Sequence, residues 1–194
     1  LLEYKPTVFF EENIIEIVKS YNHNVLLKDH INYNLILNRE PINSDLNSIK
    51  AFFINKQILI TGGCGSIGSE IVRQLIQIGA YNLIIYDNHE YGVHSLQNEI
   101  KNNNVKFILG NVNDKNKLET IFVNNKINLV FHAAAYKHVP MMEYFPEEAI
   151  KVNIIGTKNV ADLASKYKVN KFIMISTDKA VNPTNIMGAS KRIS

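Results

Sequence analysis

The sequence predicts an α/β fold in which helices cover both faces of a doubly wound, all-parallel sheet. From about residue 57 onward, apolar runs of strand length alternate with segments long enough for a crossover helix. The apolar runs are nearly continuous, which is typical of strands buried on both faces. A glycine-rich turn follows the first run and an aspartate ends the second. Right-handed crossovers between such strands produce the doubly wound arrangement.

Five strands and four crossover helices are expected. We predict strands at 57–61, 82–86, 105–109, 128–132 and 171–176, and helices at 66–79, 90–102, 114–125 and 146–167. Residues 185–194 have the pattern of the first turns of a further helix. The predicted sheet domain therefore occupies residues 56–194.

Residues 1–55 are less regular, and we interpret them as an N-terminal lead-in segment that packs on the sheet domain. Residues 14–18 indicate a short helix. Ser44 is placed to cap a second helix, whose apolar positions recur at helical spacing. Those positions are Leu46, Ile49, Phe52 and Phe53.

Composition excludes several classes of protein. The net charge of +3 comes from 21 basic and 18 acidic residues spread along the chain, which gives no case for binding nucleic acid. The one cysteine, Cys64, permits no intramolecular disulfide and argues against a cysteine-based metal site. We interpret it as a small filler residue rather than a redox group. No apolar run approaches the roughly 18 residues of a membrane helix, so no membrane span is predicted.

The turn after the first strand, GGCGSIG at residues 62–68, fits two dinucleotide-binding spacings at once, beginning at Gly62 or at Gly63. Glycine permits a tight turn and a close approach of the backbone to a pyrophosphate. The helix that follows directs its N-terminal N–H groups toward the phosphates. These features indicate a Rossmann-type dinucleotide site. The expected contacts are Gly62, Gly65, Ser66, Ile67 and Gly68.

Asp87 ends the second strand, 19 residues after Gly68. An acid at about this spacing binds the adenosine ribose hydroxyls and repels a 2′-phosphate, which favours NAD over NADP. The neighbouring Asn88 is included in the predicted cofactor site. The alternative is that Asp87 and Asn88 simply form a turn.

Two further segments follow strands four and five, at the edge of the sheet where ligands bind in open α/β folds. They read HAAAYKHVPMME at 132–143 and STDKAVNPTNIMGASKR at 176–192. The small side chains of Ala133 and Ala134 leave room for a flat nicotinamide ring. Lys137 and Lys191 are cations suited to ribose hydroxyls or diphosphate oxygens.

Three motifs together, GSIGSE at 65–70, AAAYKHVP at 133–140 and STDKAVNPTN at 176–185, resemble the extended short-chain dehydrogenase/reductase superfamily. Within it, they are similar to the polysaccharide-biosynthesis nucleotide-sugar 4,6-dehydratases of the capsular CapD-like and flagellin-glycosylation types. The resemblance covers roughly residues 36–194. Where the superfamily has Tyr-x-x-x-Lys, this chain has Met187 and Lys191. Methionine cannot accept a proton, so the usual task of the tyrosine must fall to another group. The form with methionine resembles the larger, membrane-anchored dehydratases.

The resemblance implies an NAD-dependent UDP-N-acetylglucosamine 4,6-dehydratase. It makes Lys179 the base at sugar C5 and Asp178 the acid for the departing hydroxyl, while Thr177 positions the 4-hydroxyl. A basic lysine must be neutral, so we expect the pKa of Lys179 to be lowered by burial or by the nearby Lys191. Met187 and Lys191 complete the implied catalytic set.

The resemblance also implies contacts at the two ends of the cofactor. Asn111 and Val112 lie at the adenine edge, where the family usually has aspartate in place of Asn111; this substitution puts adenine affinity in doubt. Lys137 and His138 are the implied substrate contacts. For His132 and His138 we favour a structural or substrate-orienting role over a catalytic one.

Three functions stay open at this point: the dehydratase, a UDP-sugar 4-epimerase, and a non-catalytic NAD-binding module in which Asp178 and Lys179 are a surface ion pair. The expected partner is a UDP-sugar, and a homo-oligomer is compatible with the fold. The missing initiator methionine and C-terminal substrate region indicate a fragment that is poorly soluble and has little or no turnover. We expect a cytoplasmic location, or the cytoplasmic face of the inner membrane.

Overall fold

The computed structural model describes residues 45–194, in which five strands form one parallel sheet. The strands are β1 (Ile58–Thr61), β2 (Leu83–Asp87), β3 (Val105–Leu109), β4 (Leu129–His132) and β5 (Lys171–Met174). Their order in the sheet is β3-β2-β1-β4-β5, and every neighbouring pair is parallel. The predicted doubly wound Rossmann-type sheet is therefore confirmed.

Helices connect the strands across both faces. They are α1 (Leu46–Phe53), α2 (Ser66–Gln77), α3 (Glu90–Glu99), α4 (Lys115–Asn124), α5 (Val139–Tyr144), α6 (Pro146–Ala149), α7 (Thr157–Lys166) and α8 (Ile186–Ile193). The long helix predicted at 146–167 is present, but its middle, Ile150–Gly156, is a π-helix that joins α6 to α7. A short 3₁₀ turn, Asp178–Ala180, precedes α8.

The core forms two layers because successive strand residues point to opposite faces of the sheet. Leu59 packs on one face with Ile84 and with residues of α4 and α7. Ile58 and Ile60 pack on the other face with residues of α2. Every residue of β1 and β2 is buried, as the continuous apolar runs predicted.

Residues Leu46–Ser194 form one compact unit, and Leu1–Asp45 form another. Helix α1, predicted as part of the lead-in segment, belongs to the first of these units. Its Phe53 ring lies 6.0 Å from the ring of Phe131 on β4. The helix predicted at 14–18 and the capping role of Ser44 lie outside the described residues.

Across residues 45–194, every helix is too short or too polar to cross a membrane.

Candidate active site

The sheet reverses its winding between β1 and β4, which is where open α/β sheets bind ligands. Thr61 and His132 are partners in the register of these two strands. The glycine loop leaves β1 and the alanine-rich loop leaves β4 at this point. The two predicted segments therefore meet at one edge of the sheet.

Two glycines of the loop are required by its own packing. Gly62 has φ +66°, and a Cβ there would lie 2.6 Å from the carbonyl carbon of Ala133. A Cβ on Gly68 would lie 2.7 Å from the Cα of Gly63 and would also overlap the carbonyl oxygen of Gly62. Gly65 differs, because its φ is −72° and the nearest atom to an added Cβ is 3.4 Å away. The space beside Gly65 is thus open to a ligand.

Helix α2 begins directly after Gly65 and has no side-chain cap at its N-terminus. Ser66 and Ile67 are exposed in this first turn. Unpaired N–H groups and the positive end of the helix dipole suit a phosphate here. The arrangement fits the pyrophosphate part of a dinucleotide.

Asp87 is held rigidly beside the loop. Its Oδ2 accepts a hydrogen bond from the backbone N–H of Cys64 at 2.8 Å, and its Oδ1 accepts one from the N–H of His89 at 2.9 Å. The side chain is buried, at 8% exposure. Each carboxylate oxygen still has a lone pair, so both can accept ribose hydroxyls. Asp87 therefore stabilises the turn and also has the geometry expected of a carboxylate that binds ribose hydroxyls. The two interpretations of the sequence are compatible.

A small cleft of about 30 Å³ opens at this point. Six of the predicted cofactor residues line it, and the sequence analysis had not identified the other three. The lining residues are Gly62, Tyr86, Asp87, Asn88, Gly110, Asn111, Val112, Ala134 and Val152.

Two hydrogen bonds fix the far wall of the cleft. The Tyr86 hydroxyl donates to the backbone carbonyl of Asn111 at 2.8 Å. The Asn159 side chain on α7 donates to the carbonyl of Val112 at 3.1 Å. Burial, followed by the charge of Asp114, raises the pKa of Tyr86 to about 12. Tyr86 is therefore a neutral donor, and the wall is preformed.

His132 lies at the centre of a buried chain of hydrogen bonds. The Thr157 hydroxyl donates to the carbonyl of Asn153 at 2.6 Å, so its oxygen accepts from His132 Nε2 at 2.8 Å. Nδ1 then carries no proton and accepts from the hydroxyl of Thr61 at 2.6 Å. Burial, and secondarily the charge of Lys191, lowers the pKa of His132 to about 4. His132 is a neutral, structural residue, which agrees with the favoured interpretation.

Asn153, on the π-helix, is a site residue that the sequence analysis missed. Its Oδ1 accepts from the N–H of Tyr136, and its Nδ2 donates to the Tyr136 carbonyl and to the Ser190 hydroxyl. It therefore joins the loop after β4 to helix α8. The available signal was an asparagine and a threonine within an otherwise apolar stretch of a crossover helix.

Lys191 is buried on α8, and its Nζ donates to the carbonyl of Ile175 at 3.0 Å. Burial lowers the pKa of this lysine. Met187, one turn earlier, is buried against Met142 and Ala149. The structure thus brings the two residues onto one buried face of α8, where the thioether contributes packing.

Helix α8 is fixed at its start by two caps. The Asn185 side chain accepts from the N–H of Gly188 at 2.7 Å. Glu143, on α5, accepts from the N–H of Ile186 at 2.7 Å. These caps set the position of Lys191 relative to the loops at the sheet edge.

Thr177, Asp178 and Lys179 form a local polar group in the 3₁₀ turn. The Thr177 hydroxyl donates to Asp178 Oδ1 at 2.9 Å, and Lys179 Nζ lies 3.8 Å from the same oxygen. The hydrogen bond from Thr177, followed by the charge of Lys179, lowers the pKa of Asp178. The Lys179 side chain is 52% exposed. The side chain of Lys179 is therefore not buried, although burial was one of the two causes expected to keep its amine neutral.

The remaining predicted residues lie around this edge. Ala133 and Ala134 follow β4 and face the glycine loop, while Lys137 and His138 are exposed further along the same segment. Burial, followed by the charge of Asp87, raises the pKa of Cys64 to about 12, so its thiol stays protonated, as expected of a filler residue. No group of three His, Cys, Asp or Glu side chains suited to a metal occurs within residues 45–194.

Comparison with known proteins identifies the family. The match to the family described as polysaccharide biosynthesis protein extends over residues 58–194. The chain belongs to the polysaccharide biosynthesis protein family. The resemblance inferred from the three sequence motifs is confirmed.

Members of this family and its neighbours include dehydratases and epimerases. The chain is 45% identical to the capsular polysaccharide biosynthesis protein CapD of Staphylococcus aureus, over 81% of this chain and 27% of CapD. It is 41% identical to a UDP-N-acetylglucosamine 4,6-dehydratase (inverting) of Campylobacter jejuni, over 72% of this chain and 41% of the relative. It is 39% identical to a UDP-glucose 4-epimerase of Rickettsia rickettsii, over 73% of this chain and 42% of the relative.

Solved structures show the same fold. Pen from Bacillus thuringiensis superposes with a TM-score of 0.70 at 36% identity, over 73% of this chain and 44% of that one. WbmG from Bordetella bronchiseptica, in complex with NAD and UDP, superposes with a TM-score of 0.62 at 28% identity, over 71% and 47%. The chain therefore spans less than half the length of each relative named here.

Proposed function

We propose that the full-length protein is an NAD-dependent nucleotide-sugar 4,6-dehydratase that acts on UDP-N-acetylglucosamine in surface polysaccharide biosynthesis. The observation that carries the proposal is the position of Thr177, Asp178 and Lys179. They follow β5 at the carboxyl edge of the sheet that also bears the glycine loop. Elimination of water needs an acid and a base close together, and this turn holds both.

The cofactor fit rests on the packing of the loop and the cleft. The backbone of Gly65 and the first turn of α2 would hold the pyrophosphate, and Asp87 would hold the adenosine ribose. The small side chains of Ala133 and Ala134 would leave room for a flat nicotinamide ring at the same edge of the sheet. NAD would supply a hydride acceptor for sugar C4 and a hydride donor for C6. The reaction then has no net redox change.

In the proposed reaction, a keto group at C4 makes the C5 proton acidic. Asp178 takes the 4-hydroxyl proton as hydride leaves C4. Lys179 then removes the C5 proton, and the C6 hydroxyl leaves as water with the proton that Asp178 carries. Lys179 returns its proton to C5 when hydride is restored at C6. Lys191 holds ribose hydroxyls, and its charge next to the sheet edge lowers the cost of charge developing on the sugar oxygen. Thr177 positions the 4-hydroxyl.

The lowered pKa of Asp178 sets a condition on this mechanism, since a general acid must carry a proton. Asp178 is fully exposed in the described chain and hydrogen-bonded to Thr177. Closure of a UDP-sugar over the turn would exclude water from both side chains and would raise the pKa of the Asp178 carboxyl. The proposal therefore needs the turn to be covered in the substrate complex.

A UDP-sugar 4-epimerase is the second candidate, and the similarity to the Rickettsia epimerase favours it. Epimerisation needs only a hydride transfer at C4 and a group that moves the hydroxyl proton. It has no use for a base at C5. Buried Met187 cannot move that hydroxyl proton in either reaction, so the neighbouring acid and base, Asp178 and Lys179, are what supports the dehydratase over the epimerase.

The test is incubation of the full-length protein with UDP-N-acetylglucosamine and NAD in heavy water, followed by NMR of the product. The dehydratase gives a 4-keto sugar with a C6 methyl group and deuterium at C5. Lys179→Ala should abolish C5 exchange, while the exposed control Lys117→Ala should leave it unchanged. A C4 epimer with an intact C6 hydroxyl would establish the epimerase instead. Unchanged sugar with bound NAD would indicate the non-catalytic module.

The wider setting follows from the same proposal. The partner is a UDP-sugar, and the site lies in the cytoplasm or on the cytoplasmic face of the inner membrane, where nucleotide sugars are supplied. A homo-oligomer is compatible with the exposed helices.

A further inference from the structure

The cleft next to Asp87 presents an amide where it would meet the base of a dinucleotide. Asn111 follows β3, and its backbone carbonyl is fixed by the Tyr86 hydroxyl and by the N–H of Asp114 at 2.9 Å. The N–H of Asn113 donates to Asn111 Oδ1 at 2.9 Å. This hydrogen bond decides which way the amide is turned.

With Oδ1 directed at the backbone, Nδ2 is the other branch of the amide. Within residues 45–194, Nδ2 of Asn111 makes no hydrogen bond. A ribose held by Asp87 at the end of β2 places its base over the end of the neighbouring strand β3, where Asn111 and Val112 line the cleft. The edge of the base would therefore meet a donor, Nδ2 of Asn111, as well as an acceptor, the second lone pair of Oδ1.

Purines differ in the hydrogen-bonding groups that they present at the edge formed by N7 and the 6-substituent. Adenine offers a donor at its 6-amine and an acceptor at N7, whereas a 6-oxopurine offers two acceptors. A carboxylate can only accept, so it pairs with adenine and repels a 6-oxo group. An amide both accepts and donates, so it can pair with either base.

We propose that Asn111 makes the base subsite tolerant of 6-oxopurines, so that the protein binds nicotinamide hypoxanthine dinucleotide about as well as NAD. This inference rests on the proposed use of NAD. The ribose and pyrophosphate contacts are common to both dinucleotides, so the ratio of their dissociation constants reports on the base edge alone.

The experiment is calorimetric titration of the full-length protein with each dinucleotide, on the wild type, Asn111→Asp and Asp87→Asn. Asn111→Asp keeps an acceptor for the N–H of Asn113 and is nearly isosteric, so the turn is preserved. The wild type should bind the two ligands within about threefold, and Asn111→Asp should favour NAD by roughly tenfold or more. Asp87→Asn should weaken both equally, because the ribose is the part of either dinucleotide that Asp87 would contact.

A wild-type preference for NAD of about tenfold would overturn the inference, as would an unchanged ratio in Asn111→Asp. Failure of the wild type to bind either dinucleotide would refute the proposed use of NAD itself, and the inference with it. Thermal melting of each variant checks that a changed ratio does not come from a changed fold.

Discussion

Gly62→Ala should destabilise the sheet unit by about 2–5 kcal/mol. Two costs add up, because Gly62 has both a left-handed backbone and no room for a side chain. An alanine at φ +66° costs about 1–2 kcal/mol relative to glycine. The added Cβ would lie 2.6 Å from the Ala133 carbonyl carbon, and overpacking of this kind costs about 1–3 kcal/mol. Because small domains have a total stability of about 5–15 kcal/mol, the loss is large.

Gly65→Ala is the matched control three residues along the same loop. At φ −72° with the nearest atom 3.4 Å away, it should change stability by less than about 1 kcal/mol. Its methyl group would nevertheless block the phosphates, so NAD binding should weaken. Urea unfolding of both variants measures the difference, provided that the slope of the transition is unchanged. If Gly62→Ala were as stable as the wild type, or if Gly65→Ala were equally damaged, the packing argument would be wrong.

Three further perturbations test the site. His132 has a folded pKa of about 4, below its ordinary 6.5. The unfolded chain therefore binds a proton that the folded chain rejects, and stability falls by up to about 3 kcal/mol between those pH values as the pH drops. Denaturation across this pH range should show the loss of stability in the wild type but not in His132→Gln. If the difference in unfolding free energy between the two proteins did not change with pH, the reasoning would be contradicted. Asn153→Ala should cost about 3 kcal/mol by unfolding, since it removes three hydrogen bonds and leaves the N–H and carbonyl of Tyr136 without these partners, whereas the exposed Asn98→Ala should cost less than about 0.5 kcal/mol. Asp87→Asn should weaken NAD binding roughly tenfold and reduce the preference over NADP, measured by titration; an unchanged preference would exclude a ribose contact.

The strands and the loop could be predicted from local pattern. A strand buried on both faces must be apolar along its whole length, and β1 and β2 are. Gly68 is required by clashes with the backbone of Gly62 and Gly63, and Gly62 has a left-handed φ of +66°. These causes are local, so the glycine spacing predicted the loop, whereas the close approach of Gly62 to Ala133 depends on the fold. Asp87 was identified in the same way, because the motif fixes its distance along the chain.

Other features depend on residues far apart in sequence. The π-helix at Ile150–Gly156 could not be predicted from periodicity, since its apolar pattern is that of an ordinary helix. The role of Asn153 depends on Ser190, which lies 37 residues later. The 52% exposure of the Lys179 side chain could not be predicted either, because motif position does not determine exposure.

The sequence by itself determined the sheet, the order of its elements along the chain and the residues that face its carboxyl edge, because strand burial, turn geometry and motif spacing are local properties. Only the tertiary structure decided the charge states and hydrogen-bond directions at that edge. The tautomer of His132 and the burial of Lys191 each depend on a neighbour brought close by the fold. Desolvation and hydrogen bonding act through space, and the packed chain sets those distances.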